Sequence, residues 1–336
     1  MRNILIVLSI IMFSGNLFCQ DFKSPTKHDE GLKYNKNEVI VKFKDNVDVK
    51  LETRNSVALT GVLSVDKVMT KFQATELSQV FRGCEKQSSR KINRFPDGTL
   101  KPVPQLFNIY LVKTTGKKDV KEAVDELNQL DEVEYAEVNG EMYLTDFAIQ
   151  NQLEPLSKDI ANYKTRNSIK IPEVDDPLFP DQWGIPEIKA DSLWDETTGD
   201  TTIVVAVLDT GVDWMHPDLD DNIWTNWDEI PDNGIDDDGN GYIDDVRGWD
   251  FINDDNNPMD DNSHGTHCAG IIGAEVNNGI GIAGVAWDVK IMPVKVMQSG
   301  NFGSYIQVSQ GVWYAAENNA NIYNMSLGSY FESTTL

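Results

Sequence analysis

The sequence has 336 residues, 40% of them hydrophobic, which is enough for a buried core and for more than one domain. Its formal net charge is −25, and its isoelectric point is near 4.4. A nucleic-acid-binding protein needs a basic face, so nucleic acid is not an expected partner. Three cysteines do not make a disulfide framework.

The N-terminus is typical of a secretory signal peptide. Arg2 precedes an apolar stretch over residues 4–13, and small and polar residues follow it to Gln20. That stretch is too short to span a bilayer, and no later run is long enough. We therefore expect residues 1–19 to be a signal peptide, the protein to be secreted or held at the cell surface, and no membrane span. A buried N-terminal strand and a lipid on Cys19 are the alternatives.

Residues 20–147 are predicted to form a small α+β domain. Alternating apolar and polar residues predict strands over 38–44, 106–113 and 132–138. Apolar residues at helical spacing predict a helix over 119–130. This mixture of strands and a helix is typical of a compact domain of ordinary size.

Residues 148–180 are predicted to be a linker, because they are polar, carry four prolines and lack sustained periodicity. A second domain is expected over residues 181–336. Its segment 201–208 is almost entirely apolar and β-branched, as in a strand buried on both faces of a parallel sheet. Helical patterns at 263–274 and 304–318 alternate with strand patterns at 289–296 and 322–327. This order predicts an α/β fold with a doubly wound, mostly parallel sheet, and places the site at the carboxyl ends of its strands.

Asp209-Thr210-Gly211 directly follows the apolar strand. A carboxylate at this point is rigidly held and partly desolvated, which suits it to accept the Nδ1–H of a histidine. The alternatives are an ordinary turn and the half-site of an aspartic protease. The second alternative needs an all-β chain and either a second copy of the motif or a homodimer, which the alternating α/β pattern does not support.

His264-Gly265-Thr266-His267 begins a segment rich in glycine and alanine 55 positions after Asp209. An imidazole at a helix start, oriented by a third group, is suited to act as a general base. A zinc site is the alternative. Zinc-binding helices favour histidines four residues apart with a glutamate between, whereas His264 and His267 are three apart.

Together the two motifs resemble those of the subtilisin-like serine proteases, or subtilases, in which Asp, His and Ser follow one another in the chain. The similarity runs from Gln182-Trp183-Gly184 to Gly328 and includes His216-Pro217-Asp218-Leu219 and Asn324-Met325-Ser326. The resemblance implies peptide-bond hydrolysis, with Asp209 and His264 as the acid and the base of a triad.

The resemblance also implies two strands that bind an extended peptide substrate between them. Backbone groups would pair with the peptide, and glycines would let it approach closely. Tyr305 would cap a pocket distant from the cut. For the strand over residues 326–328, a plain buried strand end is the alternative. The implied substrate-binding residues are Gly300, Gly303, Tyr305, Ser326, Leu327 and Gly328.

An acidic insertion over residues 212–262 carries a pattern typical of a calcium loop. Carboxylate, amide and carbonyl oxygens at alternating positions suit Ca²⁺, and Gly241 provides the turn. Position 12 of the loop is Arg247 rather than Glu, so the bidentate ligand is expected from Asp245 or Asp250. A solvated acidic loop is the alternative. The expected ligands are Asp236, Asp238, Asn240, Tyr242 and Asp244.

In subtilases an α+β segment between the signal and the catalytic domain acts as an inhibitory prodomain and folding aid. The resemblance therefore implies that residues 20–147 are the chain's own prodomain and a binding partner of its second domain. Its maturation site is expected in the linker, residues 148–180.

The third triad residue has no candidate in the sequence. Ser326 corresponds to a binding-strand residue of the family, and Ser329 and Ser333 have no helix or glycine turn behind them. The expectation is that this chain is the N-terminal part of a protease precursor and is inactive alone. The alternative is a complete, non-catalytic protein that binds peptides.

Overall fold

The computed structural model describes residues 34–84, 106–144, 174–329 and 333–336, with the backbone of 92–94 and 100–102. The predicted signal peptide and most of the predicted linker lie outside the described residues. The strands are β1 (Tyr34–Phe43), β2 (Glu52–Arg54), β3 (Val57–Leu59), β4 (Ala74–Gln79), β5 (Ile92–Arg94), β6 (Leu100–Pro102), β7 (Ile109–Thr114), β8 (Val133–Leu144), β9 (Gly199–Asp209), β10 (Trp249–Asp250), β11 (Asp288–Lys295), β12 (Phe302–Ser304), β13 (Ile322–Asn324) and β14 (Leu327–Gly328). The helices are α1 (Leu63–Lys71), α2 (Val120–Leu127), α3 (Gly184–Glu187), α4 (Ala190–Leu193), α5 (His264–Gly273) and α6 (Tyr305–Glu317), with 3-10 turns at Phe179–Asp181 and Asp220–Asn222.

The N-terminal unit, residues 34–144, is an antiparallel sheet in the order β8-β1-β7-β4, with α1 and α2 on one face. Alternate residues of β1 separate its two faces. Val39 and Val41 pack with the helices, whereas Ile40 packs into the core that the unit shares with the rest of the chain. The sheet therefore buries both of its faces.

The second unit, residues 174–336, is built on a parallel sheet in the order β10-β11-β9-β13. Val205 and Val207 of β9 pack with α5, while Ala206 and Leu208 pack with α6 on the opposite face. This arrangement confirms the predicted doubly wound α/β fold. It also explains the unbroken apolar strand, because both faces of β9 lie under helices.

The structure changes several predicted boundaries. β8 runs to Leu144, beyond the predicted end at residue 138, because its last residues pair with strands of the second unit. The predicted strand over 322–327 is two short strands, β13 and β14, which belong to different sheets. α1 and β4 were not expected, since their exposed positions obscure the apolar periodicity.

The end of the predicted linker is part of the second unit. Asp176 is buried, and its carboxylate accepts hydrogen bonds from the backbone amides of Asn277 and Asn278. The amide of Leu178 donates to the carbonyl of Gly281. These contacts place residues 176–178, at the end of the predicted linker, within the second unit. Across the described part of the chain, every helix is too short or too polar to cross a bilayer.

Candidate active site

The end of β9 and the start of α5 bring the two motif side chains into contact. Asp209 is the last residue of β9 and is fully buried, and His264 is the first residue of α5. Nδ1 of His264 lies 2.7 Å from Oδ1 of Asp209, and the amide of Thr210 donates to the same oxygen at 2.7 Å. Gly265 is required here, since a Cβ on it would lie 2.0 Å from the carbonyl oxygen of Gly211.

The carboxylate of Asp209 changes the proton affinity of the imidazole. Burial lowers the pKa of His264, but the hydrogen bond and the charge of Asp209 outweigh burial and raise the pKa well above 6.5. Cys268 lies one turn along α5, with Sγ 3.9 Å from Nδ1 of His264 and 3.5 Å from Oγ of Ser326. The Asp209–His264 pair can hold a proton on the imidazole and stabilise the imidazolium.

Asp260 ties the two elements together, and the sequence analysis did not identify it. Oδ1 accepts hydrogen bonds from Oγ1 of Thr210 and from the amides of Asn262 and Ser263, at 2.8–3.0 Å. Oδ2 accepts from the amide and the hydroxyl of Thr266, at 2.9 and 2.6 Å. Burial raises the pKa of Asp260, but these hydrogen bonds outweigh burial and lower it. Asp260 thus caps α5 in place of Ser263, whose side chain makes no capping bond.

A buried lysine lies at the end of β11, the strand next to β9. Lys295 is the last residue of β11 and is level with Asp209 in the parallel register. Its Nζ donates to the carbonyl of Thr210 at 2.5 Å and to the carboxylate of Asp261 at 2.6 Å. This cation compensates the negative charge next to the Asp209–His264 pair.

The two strands predicted to bind substrate, β12 and β14, flank the end of β8, and the space between them is called the groove below. Glu141, Met142 and Tyr143 of β8 pair with β12, and Tyr143 and Leu144 pair with β14, all antiparallel. The N-terminal unit therefore places an extended strand between β12 and β14, where backbone groups on both sides bond to it.

The predicted glycines differ in how tightly they are enclosed. Gly303 pairs with Met142, and a Cβ on it would lie 2.3 Å from the carbonyl oxygen of Val296. Gly328 pairs with Tyr143 and has open space where a Cβ would be. Gly300 lies in the turn before β12, against the ring of Phe302. Close backbone approach therefore requires glycine at position 303.

The other predicted groove residues lie at its margins. Tyr305 begins α6, and its ring would contact any Cβ added at Gly140, while its hydroxyl is 2.9 Å from Oγ of Ser329. Leu327 pairs with Leu144 in the first position of β14. Ser326 precedes β14, and its Oγ accepts a hydrogen bond from Asn324 at 3.2 Å.

The acidic insertion contains a cluster of three carboxylates. Asp236 and Asp238 lie with Glu229, which is buried and was not predicted, so that one oxygen of each is within 4.8 Å of the others. Glu229 precedes Asp236 by seven residues, and hydrogen bonds from the amides of Asp237 and Asp244 to its carboxylate hold it against the loop.

The remaining predicted ligands have different surroundings. The carboxylate of Asp244 accepts hydrogen bonds from the backbone amides of Asn233 and Gly234, at 3.0 and 2.9 Å. Asp244 is not one of the three clustered carboxylates. The side chain of Asn240 donates to Asp238 and Asp245, and the ring of Tyr242 is buried. Asp250 closes a turn with Asn253.

Asp245, predicted as the extra ligand, joins the loop to α6. Its carboxylate accepts hydrogen bonds from the hydroxyl of Tyr314 at 2.7 Å and from the side chains of Asn226 and Asn240. Burial raises the pKa of Asp245 to about 6, against the lowering effect of those hydrogen bonds. The oxygens of Glu229, Asp236 and Asp238 are hard ligands, so the donor set fits a cation such as Ca²⁺.

Two family models match this chain. Residues 200–335 match the subtilase family, Peptidase_S8. Residues 200–335 belong to the subtilase family. Residues 66–139 match the N-terminal prodomain of fervidolysin, which identifies the N-terminal unit as a subtilase-type prodomain. The exact domain boundaries stay predictions.

Curated relatives support the same family. The thermophilic serine proteinase of Bacillus sp. strain AK1 is 37% identical over 155 residues, which are 46% of this chain and 33% of the relative. Thermitase of Thermoactinomyces vulgaris is 36% identical over 154 residues, which are 46% of this chain and 47% of the relative. The chain thus spans a third to about a half of the length of these two proteases.

A solved structure shares the fold of both units. The crystal structure of fervidolysin from Fervidobacterium pennivorans, described as a keratinolytic enzyme related to subtilisin, matches with a TM-score of 0.52 at 22% identity. The match covers 92% of this chain and 38% of that chain. This likeness supports the prodomain-plus-subtilase arrangement at the level of the fold.

Proposed function

We propose that this chain supplies the acid and the base of a secreted serine endopeptidase, in precursor form. The observation that carries the proposal is the 2.7 Å contact between Asp209 and His264 in a segment of the subtilase family. In its neutral form, His264 would take the proton of a nucleophilic serine, and Asp209 would stabilise the resulting imidazolium and fix the ring. The proposal assigns that serine no position within residues 1–336.

The precursor state follows from the position of β8. Its last residues occupy the space between β12 and β14, where an extended peptide substrate would pair. A substrate strand needs the same backbone N–H and C=O groups, so it competes directly with β8. The N-terminal unit would thereby inhibit hydrolysis until it is removed.

A bound Ca²⁺ would hold the acidic insertion in shape. Glu229, Asp236 and Asp238 would be its carboxylate ligands, and the carbonyl and amide groups of the loop would complete the shell. In a protein without a disulfide framework, such an ion would add to stability by binding only the folded state.

The test compares residues 1–336 with the product of the complete gene, using denatured casein as substrate. We expect no turnover by residues 1–336. For the complete product we expect hydrolysis that falls at least about 10³-fold with His264→Ala or Asp209→Asn. His216→Gln, outside the pair, is the matched histidine control and should retain activity.

Unchanged hydrolysis in His264→Ala would overturn the assignment of the base. A complete product that binds casein-derived peptides with no hydrolysis would favour the alternative of a non-catalytic peptide-binding protein.

A further inference from the structure

A second contact joins the two units away from the groove. Residues 80–84, which follow β4, lie on α6 and on the acidic insertion. The side chain of Gln310 donates to the carbonyl of Val80 at 2.8 Å, and the indole of Trp313 donates to the carbonyl of Arg82 at 3.2 Å. The backbone at Arg82 is therefore held by α6.

The guanidinium of Arg82 lies over an aromatic surface of the insertion. Its Cζ is 5.0 Å from the ring centre of Tyr242 and 5.7 Å from that of Trp249. It forms an ion pair with Asp254, and Nη1 donates to the carbonyl of Gly241 at 3.4 Å. Aromatic faces, a carbonyl and a carboxylate together suit a planar guanidinium better than an ammonium group.

The surface beneath Arg82 is buried and closely packed. Tyr242 and Trp249 are only 2% and 5% exposed, and Tyr242 packs edge-on against Trp249 and Tyr314, with ring centres 5.0 and 4.9 Å apart. Gly241 has a φ of +93°, and a Cβ on it would lie 3.0 Å from Cβ of Arg82. The loop is thus shaped for close approach of this arginine.

The stacking of Arg82 on the two rings and its hydrogen bond to Gly241 contribute more to binding than its ion pair with Asp254. The side chains of Arg82 and Asp254 are 34% and 61% exposed, and an exposed ion pair contributes little on its own. A cation over buried aromatic faces contributes more, because the rings and most of the Arg82 side chain are shielded from water. The insertion adds a long-range attraction, with 17 acidic residues and a single arginine, Arg247, between positions 213 and 261.

We propose that Gly241, Tyr242, Trp249 and Asp254 form an arginine-binding pocket, and that Arg82 in this pocket anchors the N-terminal unit independently of β8. The groove holds β8 through backbone pairing, whereas the pocket recognises one side chain. After the chain is cut between the units, the pocket slows the departure of the N-terminal unit and makes that departure sensitive to salt. This inference does not depend on catalysis or on the identity of a nucleophile.

The experiment uses the full chain with a specific protease recognition sequence inserted between residues 150 and 170. After cutting, the dissociation rate of the two pieces is measured by the change in tryptophan fluorescence on dilution. We expect Arg82→Ala to speed dissociation at least tenfold and Arg82→Lys to speed it less. Arg54→Ala is the matched control, because Arg54 pairs with Glu52 in an exposed hairpin of the same unit, and it should stay within twofold of wild type.

Two further measurements separate recognition from misfolding. Asp254→Asn, on the opposite surface, should also speed dissociation, by a smaller factor than Arg82→Ala, and the Arg82→Ala/Asp254→Asn double variant should dissociate no faster than Arg82→Ala alone. Raising NaCl from about 0.05 M to about 0.5 M should accelerate wild type more than Arg82→Ala. Dissociation of Arg82→Ala within twofold of wild type, additive effects in the double variant, or equal salt dependence would each overturn the proposal.

Discussion

The Asp209–His264 pair and the loop around Asp236 both place carboxylates close together, but their charges are balanced in different ways. Asp209 faces an imidazole that can carry a proton, with Lys295 nearby. Asp236 instead accepts hydrogen bonds from three backbone amides, those of Gly239, Asn240 and Gly241. The first region is suited to moving a proton, and the second leaves negative charge for a cation to neutralise.

The largest effect is expected from removing the charge of Asp209. With Asp209→Asn, the pKa of His264 should fall from well above 6.5, because burial then acts without the hydrogen bond to the Asp209 carboxylate and without its charge. The measurement is an NMR titration of the histidine ring, with Asp200→Asn, on the exposed start of β9, as control. An unchanged His264 pKa would show that Asp209 does not set its protonation.

The same change has a consequence for stability. A raised histidine pKa stabilises the fold fully below about 6.5, and this stabilisation is lost as the pH rises through the folded-state pKa. The stability advantage of wild type over Asp209→Asn should therefore shrink as the pH rises above 6.5. Urea unfolding of both proteins at several pH values measures the difference.

The next largest effect is expected from Ca²⁺ at the acidic loop. At a concentration of about 100 times Kd, binding should stabilise the folded chain by about 2.7 kcal/mol. Thermal unfolding with Ca²⁺ and with a chelator should show this shift in wild type and not in Asp236→Asn/Asp238→Asn. Asp228→Asn removes an exposed charge of the same insertion and should keep the shift. Equal midpoints in wild type under both conditions would leave the loop as a solvated acidic segment.

Asp260→Asn should produce a smaller loss. The side-chain amide of the new Asn would place an N–H group against donors whose hydrogen bonds Asp260 now accepts. We therefore expect destabilisation of roughly 1–3 kcal/mol. Because Thr210 and Thr266 flank the catalytic-type pair, the imidazole signals of His264 should also broaden or shift. Asp228→Asn, at an exposed position of the same insertion, is the control and leaves the helix cap intact. Loss of stability with no change at His264 would limit Asp260 to capping α5.

The smallest effect is a pH slope at Asp245. Its pKa of about 6 in the folded chain exceeds the ordinary value of 3.8, so the folded state binds the proton more tightly than the unfolded state. Without divalent cations, this group should therefore lower stability as the pH rises from about 4 to about 6. Asp245→Asn should remove that part of the slope in urea unfolding at pH 4, 5 and 6. An identical slope in both proteins would contradict the assignment.

The sequence predicted the strands and motifs whose signals are local. Segment 201–208 is apolar because helices cover both faces of β9, and Asp209 and His264 come at its end and at the next helix start. Glu229 and Asp260 were not predicted, since Glu229 lies outside the loop pattern and Asp260 reaches Thr210, 50 positions earlier, only in the folded chain. Arg82 could not be predicted for the same reason, as its partners Tyr242 and Asp254 lie more than 150 positions later.

The continuity of β8 also bears on the order of folding. Pairing with β1 extends to Gly140, and residues 141–144 pair only with strands that come after residue 301. The contacts within the N-terminal unit are closer in sequence, and contacts of short sequence separation generally form faster. The N-terminal sheet would then present a short overhanging edge of unpaired N–H and C=O groups. Such an edge is a template for strand addition, and it would fix the register of β12 and β14 as the second unit folds.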